Sequence, residues 1–267
     1  MIAPLALART NQILATCEAW QPPAYDPQTT ASARFKAAVR RFLDLQAGSI
    51  WRDLAVLLPQ CNGTAVDVGC GAQPYRRLFG PGVKYVGIDT TDARAHFRYD
   101  IPDTTYYAGN TWPLADRFAD IVLCTETLEH VSDPVQFLDE MARCLKPGGS
   151  VVLTVPFAAR WHYIPHDYWR FTPSSLARLL TSAGFEDVKV YARGNSYTVA
   201  CYKTMALLLP LLLPQCRSPV AACALRLIGL ASAPILVGLA AIGQLTLRGR
   251  GGDDCLGYTA VATRVNT

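Results

Sequence analysis

The stretch Ala65-Val66-Asp67-Val68-Gly69-Cys70-Gly71 decides the fold of this chain. Ala65 to Val68 is typical of the end of a buried parallel strand, and the glycines after it predict a tight turn where the backbone approaches a ligand closely. A second apolar run, Tyr85 to Ile88, ends at Asp89. A carboxylate in that position can accept hydrogen bonds from ribose hydroxyls. The two stretches predict an α/β fold that binds a nucleoside-containing cofactor.

The glycine loop leaves three interpretations open. A dinucleotide site requires Gly-x-Gly-x-x-Gly, and Pro74 stands where the third glycine would be. Asp67 would repel a pyrophosphate, but it suits a ligand that carries an ammonium group. S-adenosylmethionine (SAM) has an amino-acid tail, a ribose and no phosphate. The loop therefore favours SAM over NAD, and a purely structural turn is the third interpretation.

The elements that follow alternate in the same α/β manner. Phe118 to Cys124 predicts a strand, and a helix is predicted from Pro134 to Leu145, with Asp133 as its N-cap. Lys146-Pro147-Gly148-Gly149 ends that helix with a cation, a proline and two glycines. Ser150 to Pro156 predicts the next strand.

With these residues in place, the chain resembles the class I SAM-dependent methyltransferases, in particular their small-molecule branch. The residues that carry the resemblance are Asp67-Val68-Gly69-Cys70-Gly71, Asp89, Phe118-Ala119-Asp120-Ile121-Val122, Leu128-Glu129-His130, Ser132-Asp133-Pro134 and Leu145-Lys146-Pro147-Gly148-Gly149. The resemblance extends over residues 60–191, with a last strand expected near 256–264. Gln73 and Ala119 depart from the usual family pattern. The implied fold is the Rossmann-like seven-stranded sheet of this family, here with an apolar helical insert before the last strand.

The resemblance also implies where the cofactor lies. The loop residues that would face the methionine end of SAM are Asp67, Gly69, Cys70 and Gly71. Asp89 would accept from the ribose hydroxyls, and Asn110 would lie near the adenine. Thr125 and Glu126 would border the methyl group, although Glu126 also fits a solvated loop acid. Asp120 is expected to be structural, because it begins a strand far from the ligand-binding ends.

The segment from Phe157 to Phe171 is dense in aromatic residues and histidines, and it follows a predicted strand. Ligands sit beyond the carboxyl ends of strands in open α/β sheets, so this segment is predicted to border the methyl acceptor. Transfer to oxygen requires removal of a proton, and imidazole titrates near neutrality, so the candidate bases are His130, His162 and His166. Alternatively, His130 hydrogen-bonds a loop and His166 pairs with Asp167 to hold the segment.

Composition limits the class of partner. The chain has 267 residues and a net charge of +4 without a block of like charge, whereas nucleic-acid binding usually requires a clustered basic face. Nucleic acid is therefore not an expected partner. Nine cysteines without a Cys-x-x-Cys pair, and only four histidines, predict a reduced, cytoplasmic protein without a metal site. The N-terminus lacks the basic start of a secretory signal, so none is expected.

A helix is predicted from Ser32 to Leu58, with a break near Gly48. Its apolar stripe, flanked by cations, consists of Phe35, Val39, Phe42 and Leu43. We predict that this stripe packs on the flank of the sheet, with a lid over the cofactor as the alternative. The expected organisation is an N-terminal helical region, a SAM-binding core, an apolar insert and a last strand, at residues 1–59, 60–196, 197–252 and 253–267.

The apolar insert contains 21 consecutive residues without a charge, Leu227 to Leu247, which is just enough to span a bilayer. Predicted strands precede and follow the insert, so the chain must return to the same sheet and a single crossing is excluded. Arg217 and Arg226 fall at the tip of the resulting hairpin, which favours anchoring at the lipid surface over a full crossing. A helical pair buried against the domain, or in a homodimer interface, is the alternative.

These features predict a SAM-dependent methyltransferase that acts on a small or lipid-linked acceptor, most readily at oxygen. We expect it in the cytoplasm, peripheral or monotopic at the inner face of the membrane. A SAM-fold binding or scaffold protein without turnover is the alternative. A nucleotide-dependent oxidoreductase is disfavoured by Pro74.

Overall fold

Seven strands form a single sheet in the part of the chain that the computed structural model describes, residues 30–98, 100–212 and 218–266. The strands, numbered β1 to β7 along the chain, are Thr64–Val68, Lys84–Thr90, Thr104–Tyr107, Ala119–Thr125, Leu145–Pro156, Phe185–Arg193 and Gly257–Arg264. Their order across the sheet is β3-β2-β1-β4-β5-β7-β6. β7 pairs antiparallel with β5 and β6, and the other neighbours are parallel. The predicted seven-stranded Rossmann-like sheet is confirmed.

The helices of the described residues, numbered α1 to α7, are Ala31–Leu43, Leu45–Leu57, Thr91–Phe97, Pro134–Cys144, Pro173–Ser182, Ser196–Leu212 and Pro219–Thr246. Strand side chains alternate between the two faces of a sheet. Val151 and Leu153 of β5 therefore join the core cluster that includes α4 and α5, whereas Val152 joins the cluster that includes α2. Helices thus cover both faces of the central strands, as in other largely parallel sheets.

The turn after β1 explains the glycine at its start. Gly69 has φ +65°, a conformation that side chains disfavour, and a Cβ there would collide with the side chain of Thr127. The N–H groups of Gly69 and Cys70 both donate to the carbonyl of Ile88, near the end of β2, at 2.9 and 3.2 Å. Those bonds hold the loop across the carboxyl ends of β1 and β2.

The N-terminal helices differ from the prediction in two ways. The break lies at Asp44, whose carboxylate accepts from the N–H of Ala47 (3.1 Å) and caps α2, so α2 runs through Gly48. Gly48 instead permits close packing, because a Cβ there would collide with a carbonyl of α1. The prediction that the stripe of α1 packs on the sheet is wrong, since α1 has no buried residue and Phe35 is 70% exposed.

α6 and α7 pack together as a helical hairpin between β6 and β7, which confirms an apolar insert before the last strand. Among the described helices, α7 alone is long and apolar enough to cross a membrane, and only 17% of its most apolar window is buried. Gly229 lets the two helices approach closely, because a Cβ there would lie 2.6 Å from the carbonyl of Leu211. Arg217, predicted at the tip, lies outside the described residues, and Arg226 is exposed on α7.

Candidate active site

A cavity of about 450 Å³ lies at the carboxyl ends of β1, β2 and β4. Ligands bind at that edge in open α/β sheets, and small-molecule sites usually enclose roughly 300–1,000 Å³. Eight of the residues predicted for the site line the cavity, namely Gly69, Gly71, Asp89, Asn110, Glu126, His130, His162 and His166. The fold thus brings the glycine loop, the acid near the end of β2 and the histidine-rich segment to one space.

The glycine loop and the end of β2 form one end of the cavity. Asp89 accepts from the N–H of Gly71 through Oδ2 (3.1 Å) and from the N–H of Thr90 through Oδ1 (2.8 Å), so the backbone orients both oxygens. A carboxylate oxygen has further lone pairs, so Asp89 can also accept from a ligand hydroxyl. A Cβ at Gly71 or Gly109 would meet nothing within 4 Å in the described part of the chain, so the backbone there borders open space.

Three predicted cofactor residues lie outside the cavity wall. Asp67 is buried in the central strand β1, where its Oδ2 accepts from the hydroxyl of Tyr85 (2.7 Å) and burial raises its pKa to about 7. Cys70 is buried beside Thr104 and does not line the cavity. Thr125 is still paired to β5, and the chain turns toward the cavity only after it. The structure therefore does not place Asp67, Cys70 or Thr125 in the lining where the sequence predicted them.

Glu126 reaches the cavity wall with the support of a buried cation. It has a left-handed backbone conformation (φ +47°), and its Oε1 accepts from Nη2 of Arg193 (2.7 Å). Arg193 is only 3% exposed, and it also donates to the carbonyl of Val155 (3.0 Å) and the hydroxyl of Ser49 (3.1 Å). Glu126 is therefore an ion-paired acid of the cavity wall rather than a solvated loop acid.

His130 is a neutral imidazole held by a loop. Its Nδ1 lies 2.8 Å from the carbonyl oxygen of His166, which can only accept, so we assign the proton to Nδ1 and the lone pair to Nε2. Burial, and then the charge of His162, lower the pKa of His130 to about 4. The ring packs edge-on against the rings of His162 and Tyr163, with centroids 4.8 and 5.1 Å away. The predicted loop hydrogen bond of His130 is confirmed.

The pKa of His162 is shifted in the opposite direction from that of His130. Its Nδ1 lies 2.9 Å from the carbonyl oxygen of Arg160 and 3.1 Å from Oδ2 of Asp167. Both partners accept, so Nδ1 carries the proton and Nε2 is the proton-accepting nitrogen. Burial by itself would lower the pKa of His162, but the hydrogen bonds to Asp167 and Arg160 outweigh it and raise the pKa above its ordinary value.

Arg170 completes this array. Its guanidinium donates to both oxygens of Asp167, at 2.6 and 2.8 Å. Although burial opposes the charge of Asp167, the bonds from Arg170 and His162 hold its pKa well below the usual range. The predicted pairing of His166 with Asp167 is wrong, because the Asp167 carboxylate turns back to the N–H of His162 (3.0 Å) and His166 Nδ1 lies beside the Tyr168 hydroxyl (3.2 Å).

Several lining residues were not predicted from the sequence, among them Phe97, Tyr107, Trp112, Thr127 and Gln136, whereas Tyr163 belongs to the segment predicted to border the acceptor. Gln136 accepts from the side-chain amide of Asn110 (2.7 Å) and fixes its orientation. Tyr163 packs against Phe97 at 4.7 Å and His166 at 5.3 Å between ring centroids, which forms an aromatic wall. Phe97 ends α3, a helix that the sequence pattern did not reveal, so no local signal pointed to it.

Glu129, His130 and His162 each offer a metal-ligand atom, and these atoms lie within 4.8 Å of one another. Glu129 is fully buried, and neither carboxyl oxygen has a hydrogen-bond partner among the described residues. Burial raises the pKa of Glu129 well above its usual range and so favours its protonated form. A carboxyl group must be deprotonated to bind a cation, so this burial opposes metal binding. The sequence did not predict this grouping.

The lining fits SAM better than a phosphate-containing cofactor. None of its described residues is Lys or Arg, and four are acids, namely Asp89, Asp92, Glu126 and Asp133. Such a surface repels a pyrophosphate and attracts a sulfonium or an ammonium group. Gly71 and Gly109 leave the space into which another residue would project a side chain.

Comparison with known proteins agrees with this chemistry. A family model described as a methyltransferase domain matches residues 33–190. Relatives include ubiquinone biosynthesis O-methyltransferases of Ruegeria pomeroyi, 31% identical over 53% of this chain and 67% of the relative, and of Cereibacter sphaeroides, 33% identical over 51% and 66%. This chain thus matches about two thirds of the length of these relatives.

A comparison with solved structures agrees with the observed fold. A solved complex of the Haloferax volcanii Trm112 methyltransferase activator with a methyltransferase aligns with a TM-score of 0.51 at 16% identity, over 91% of this chain and 100% of that one. At this identity the likeness concerns the fold alone. The matched family model establishes that the chain belongs to the class I SAM-dependent methyltransferases, with SAM as its methyl donor, and the acidic cavity agrees with this cofactor.

Proposed function

We propose that this methyltransferase moves the methyl group of SAM to an oxygen of a small, membrane-borne acceptor, and that His162 is the base. The observation that carries this proposal is the array of His162, Asp167 and Arg170 at the cavity. A hydroxyl acceptor must lose its proton at or near transfer, and an imidazole oriented by a carboxylate is suited to take it.

Electrostatics favours His162 over His130 as that base. A general base works best when its pKa lies near the operating pH. The pKa of His130 is lowered to about 4, which makes it a weak proton acceptor. The pKa of His162 is raised, so it is a stronger proton acceptor than His130, and the lone pair of its neutral form is on Nε2.

The remaining chemistry of the chain is positioning and charge stabilisation. When bound, SAM supplies an electrophilic methyl group with a neutral thioether as leaving group. Asp89 and the backbone at Gly71 would hold the cofactor, and its fixed position beside the acceptor would make the transfer effectively intramolecular. His162 takes the acceptor proton at Nε2, and Asp167 stabilises the resulting imidazolium. Asp167 stays ionised throughout, because Arg170 binds both of its oxygens.

The sequence relatives support oxygen as the accepting atom. The two relatives described above are named ubiquinone biosynthesis O-methyltransferases. Only about two thirds of their length is matched, so the identity of their acceptor is not carried over to this chain. What we carry over is methyl transfer to oxygen.

The α6–α7 hairpin supports delivery of the acceptor from a membrane. Leu236 of α7 packs with Leu45 and Leu256 of the domain, and Arg226 precedes it by about 15 Å of helix. The hydrocarbon core is about 30 Å thick, so a full crossing would place Arg226 near its centre, at a cost of about 2.5–3.5 kcal/mol. Exposed apolar side chains nearby on α7 fit shallow insertion into one leaflet, namely Leu227, Ile228, Leu230 and Ile235.

Incubation of the full-length protein with methyl-labelled SAM and a membrane lipid extract tests this proposal. We expect label in the lipid fraction that resists mild base, as a methyl ether does and a methyl ester does not. His162→Gln should lower kcat by about 10²- to 10⁴-fold with SAM affinity unchanged. Asp139→Asn, at an exposed residue of α4 outside the cavity lining, is the control. SAM binding without transfer to any acceptor would instead identify a scaffold protein.

A further inference from the structure

The outward face of α1 carries an apolar stripe flanked by cations. Phe35, Val39 and Phe42 recur with helical spacing and are 70, 40 and 36% exposed. α1 has no acid, and its cations are Arg34, Lys36, Arg40 and Arg41. Positions one before and one after Phe35 lie about 100° to either side of it around the helix, so Arg34 and Lys36 flank the stripe on both sides.

Further positive charge gathers beside α1. The guanidinium groups of Arg41 and Arg77 lie 4.3 and 4.5 Å from the ring centre of Trp51. Burial, and then the charge of Arg77, lower the pKa of Arg41, and burial with the charge of Arg34 lowers the pKa of Arg77. These neighbouring cations repel one another, and an anionic surface beside them would relieve that repulsion.

α1 is also continuous with the apolar hairpin. Gln244 of α7 donates from Nε2 to the carbonyls of Arg41 (3.0 Å) and Phe42 (3.1 Å), at the end of α1. Ile242 and Leu245, on the same stretch of α7, are 51 and 63% exposed. The exposed apolar surface of α7 therefore extends to the point where α1 joins it.

We propose that α1 is an interfacial helix that docks on an anionic lipid bilayer, with its apolar stripe among the acyl chains and its cations on the phosphate groups. An exposed apolar stripe with Lys and Arg on both flanks is the arrangement of helices that lie in the membrane interface. This inference rests on the proposed membrane association of the hairpin. It adds a preference for lipid charge, which the nearly uncharged hairpin does not provide.

Hydrogen–deuterium exchange of the full-length protein, followed by mass spectrometry, tests this inference. The protein is compared without vesicles, on phosphatidylcholine vesicles and on vesicles that also contain phosphatidylglycerol. Each of Lys36 and Arg40 strengthens contact with an anionic surface by about fivefold, so α1 should exchange on the order of thirtyfold more slowly on the anionic vesicles than on the neutral ones. α7 should exchange more slowly on both vesicle types than without vesicles. The exchange of α5 should be the same with and without vesicles.

Two variants separate charge from apolar contact. Lys36→Gln with Arg40→Gln should remove the difference between the two vesicle types, while Arg178→Gln with Lys189→Gln, two exposed cations of α5 and β6, should not. Phe35→Ser should reduce protection of α1 on anionic vesicles, whereas Val135→Ser, at an exposed apolar position of α4, should leave it unchanged.

The outcomes that overturn the inference differ from those that overturn the proposed function. Equal exchange of α1 on both vesicle types, with α7 protected, refutes docking of α1 and leaves the anchored hairpin standing. Equally slow exchange without vesicles means that another part of the chain or a second copy covers α1, which also refutes it. If α7 is protected on neither vesicle type, the membrane-borne acceptor fails together with the inference. If the protein transfers no methyl group but both helices are protected as expected, the proposed chemistry is refuted and the docking of α1 stands.

Discussion

Asp167→Asn is the substitution that best isolates the chemistry of the site. The Asp167 carboxylate is 1% exposed and accepts four hydrogen bonds, two from Arg170 and two from His162. Asparagine has the same shape, but its NH2 group donates hydrogen bonds where the carboxylate oxygen accepted them. This group would therefore face N–H groups of Arg170 or His162 that also donate. Breaking a buried ion pair costs about 3–5 kcal/mol. The Arg170 side chain is 27% exposed and water can partly replace its partner, so we expect a loss near the lower end, about 3 kcal/mol.

The pH dependence of this loss has a defined sign. The raised pKa of His162 stabilises the fold below its unfolded value near 6.5, and this contribution disappears as the pH rises through the folded value. The lowered pKa of Asp167 stabilises the fold above its unfolded value near 3.8, and this contribution disappears only in stronger acid. The variant should therefore be most destabilised between about pH 4 and 6.5, and less so at pH 9.

Kinetics of the same variant test the role of His162 as base. Without Asp167, the pKa of His162 should fall, so the acidic limb of the kcat/KM profile should move to lower pH while kcat drops by about 10²-fold or more. Urea unfolding at several pH values and the pH profile of methyl transfer provide the measurements. Asp139→Asn, at an exposed acid of α4, is the control. An unmoved acidic limb in a folded variant would refute the assignment of His162.

Three further substitutions have expected outcomes. Asp89→Ala should weaken SAM binding by about 1.5–3 kcal/mol in calorimetry, because it removes a charged hydrogen-bond acceptor. Gly69→Ala should lower the unfolding temperature strongly, since a Cβ collides with Thr127 and the backbone is left-handed. Gly71→Ala should lower it less, because its Cβ meets open space and only its left-handed backbone (φ +49°) is strained, and it should also weaken SAM binding. Arg193→Met should lower the free energy of unfolding by about 3 kcal/mol in urea titrations, since it leaves the paired carboxylate without its buried partner.

The sheet and the cofactor end of the site were predictable because their signals are local. The turn after β1 needs glycine for a backbone reason, and Gly69 confirms it with φ +65°. The carboxyl ends of neighbouring parallel strands meet at one edge of the sheet, so an acid near the end of β2 was expected at that edge. Asp89 lines the cavity there. Asp120 was expected to be structural because it lies at the start of its strand. It accepts from the N–H of Thr64 and pairs with Lys146, at the edge of the sheet opposite the cavity.

The failures concern residues whose surroundings come from distant parts of the chain. Asp67 shares its motif with the glycines, but β1 is flanked by β2 and β4, and the side chain is buried against Tyr85. Spacing showed that Phe35 belongs to one helical face, yet spacing does not show what covers that face. Which histidine Asp167 would bind depended on how the segment folds back. His166 precedes Asp167 directly and was the predicted partner, but the carboxylate accepts from His162 instead.

A crystal structure of the full-length protein with S-adenosylhomocysteine tests the central claim most directly. We expect the ribose hydroxyls to lie within hydrogen-bond distance of Asp89, and the sulfur to face the space bordered by His162 and Tyr163. A ligand that binds elsewhere, or one whose sulfur points away from His162, would contradict it.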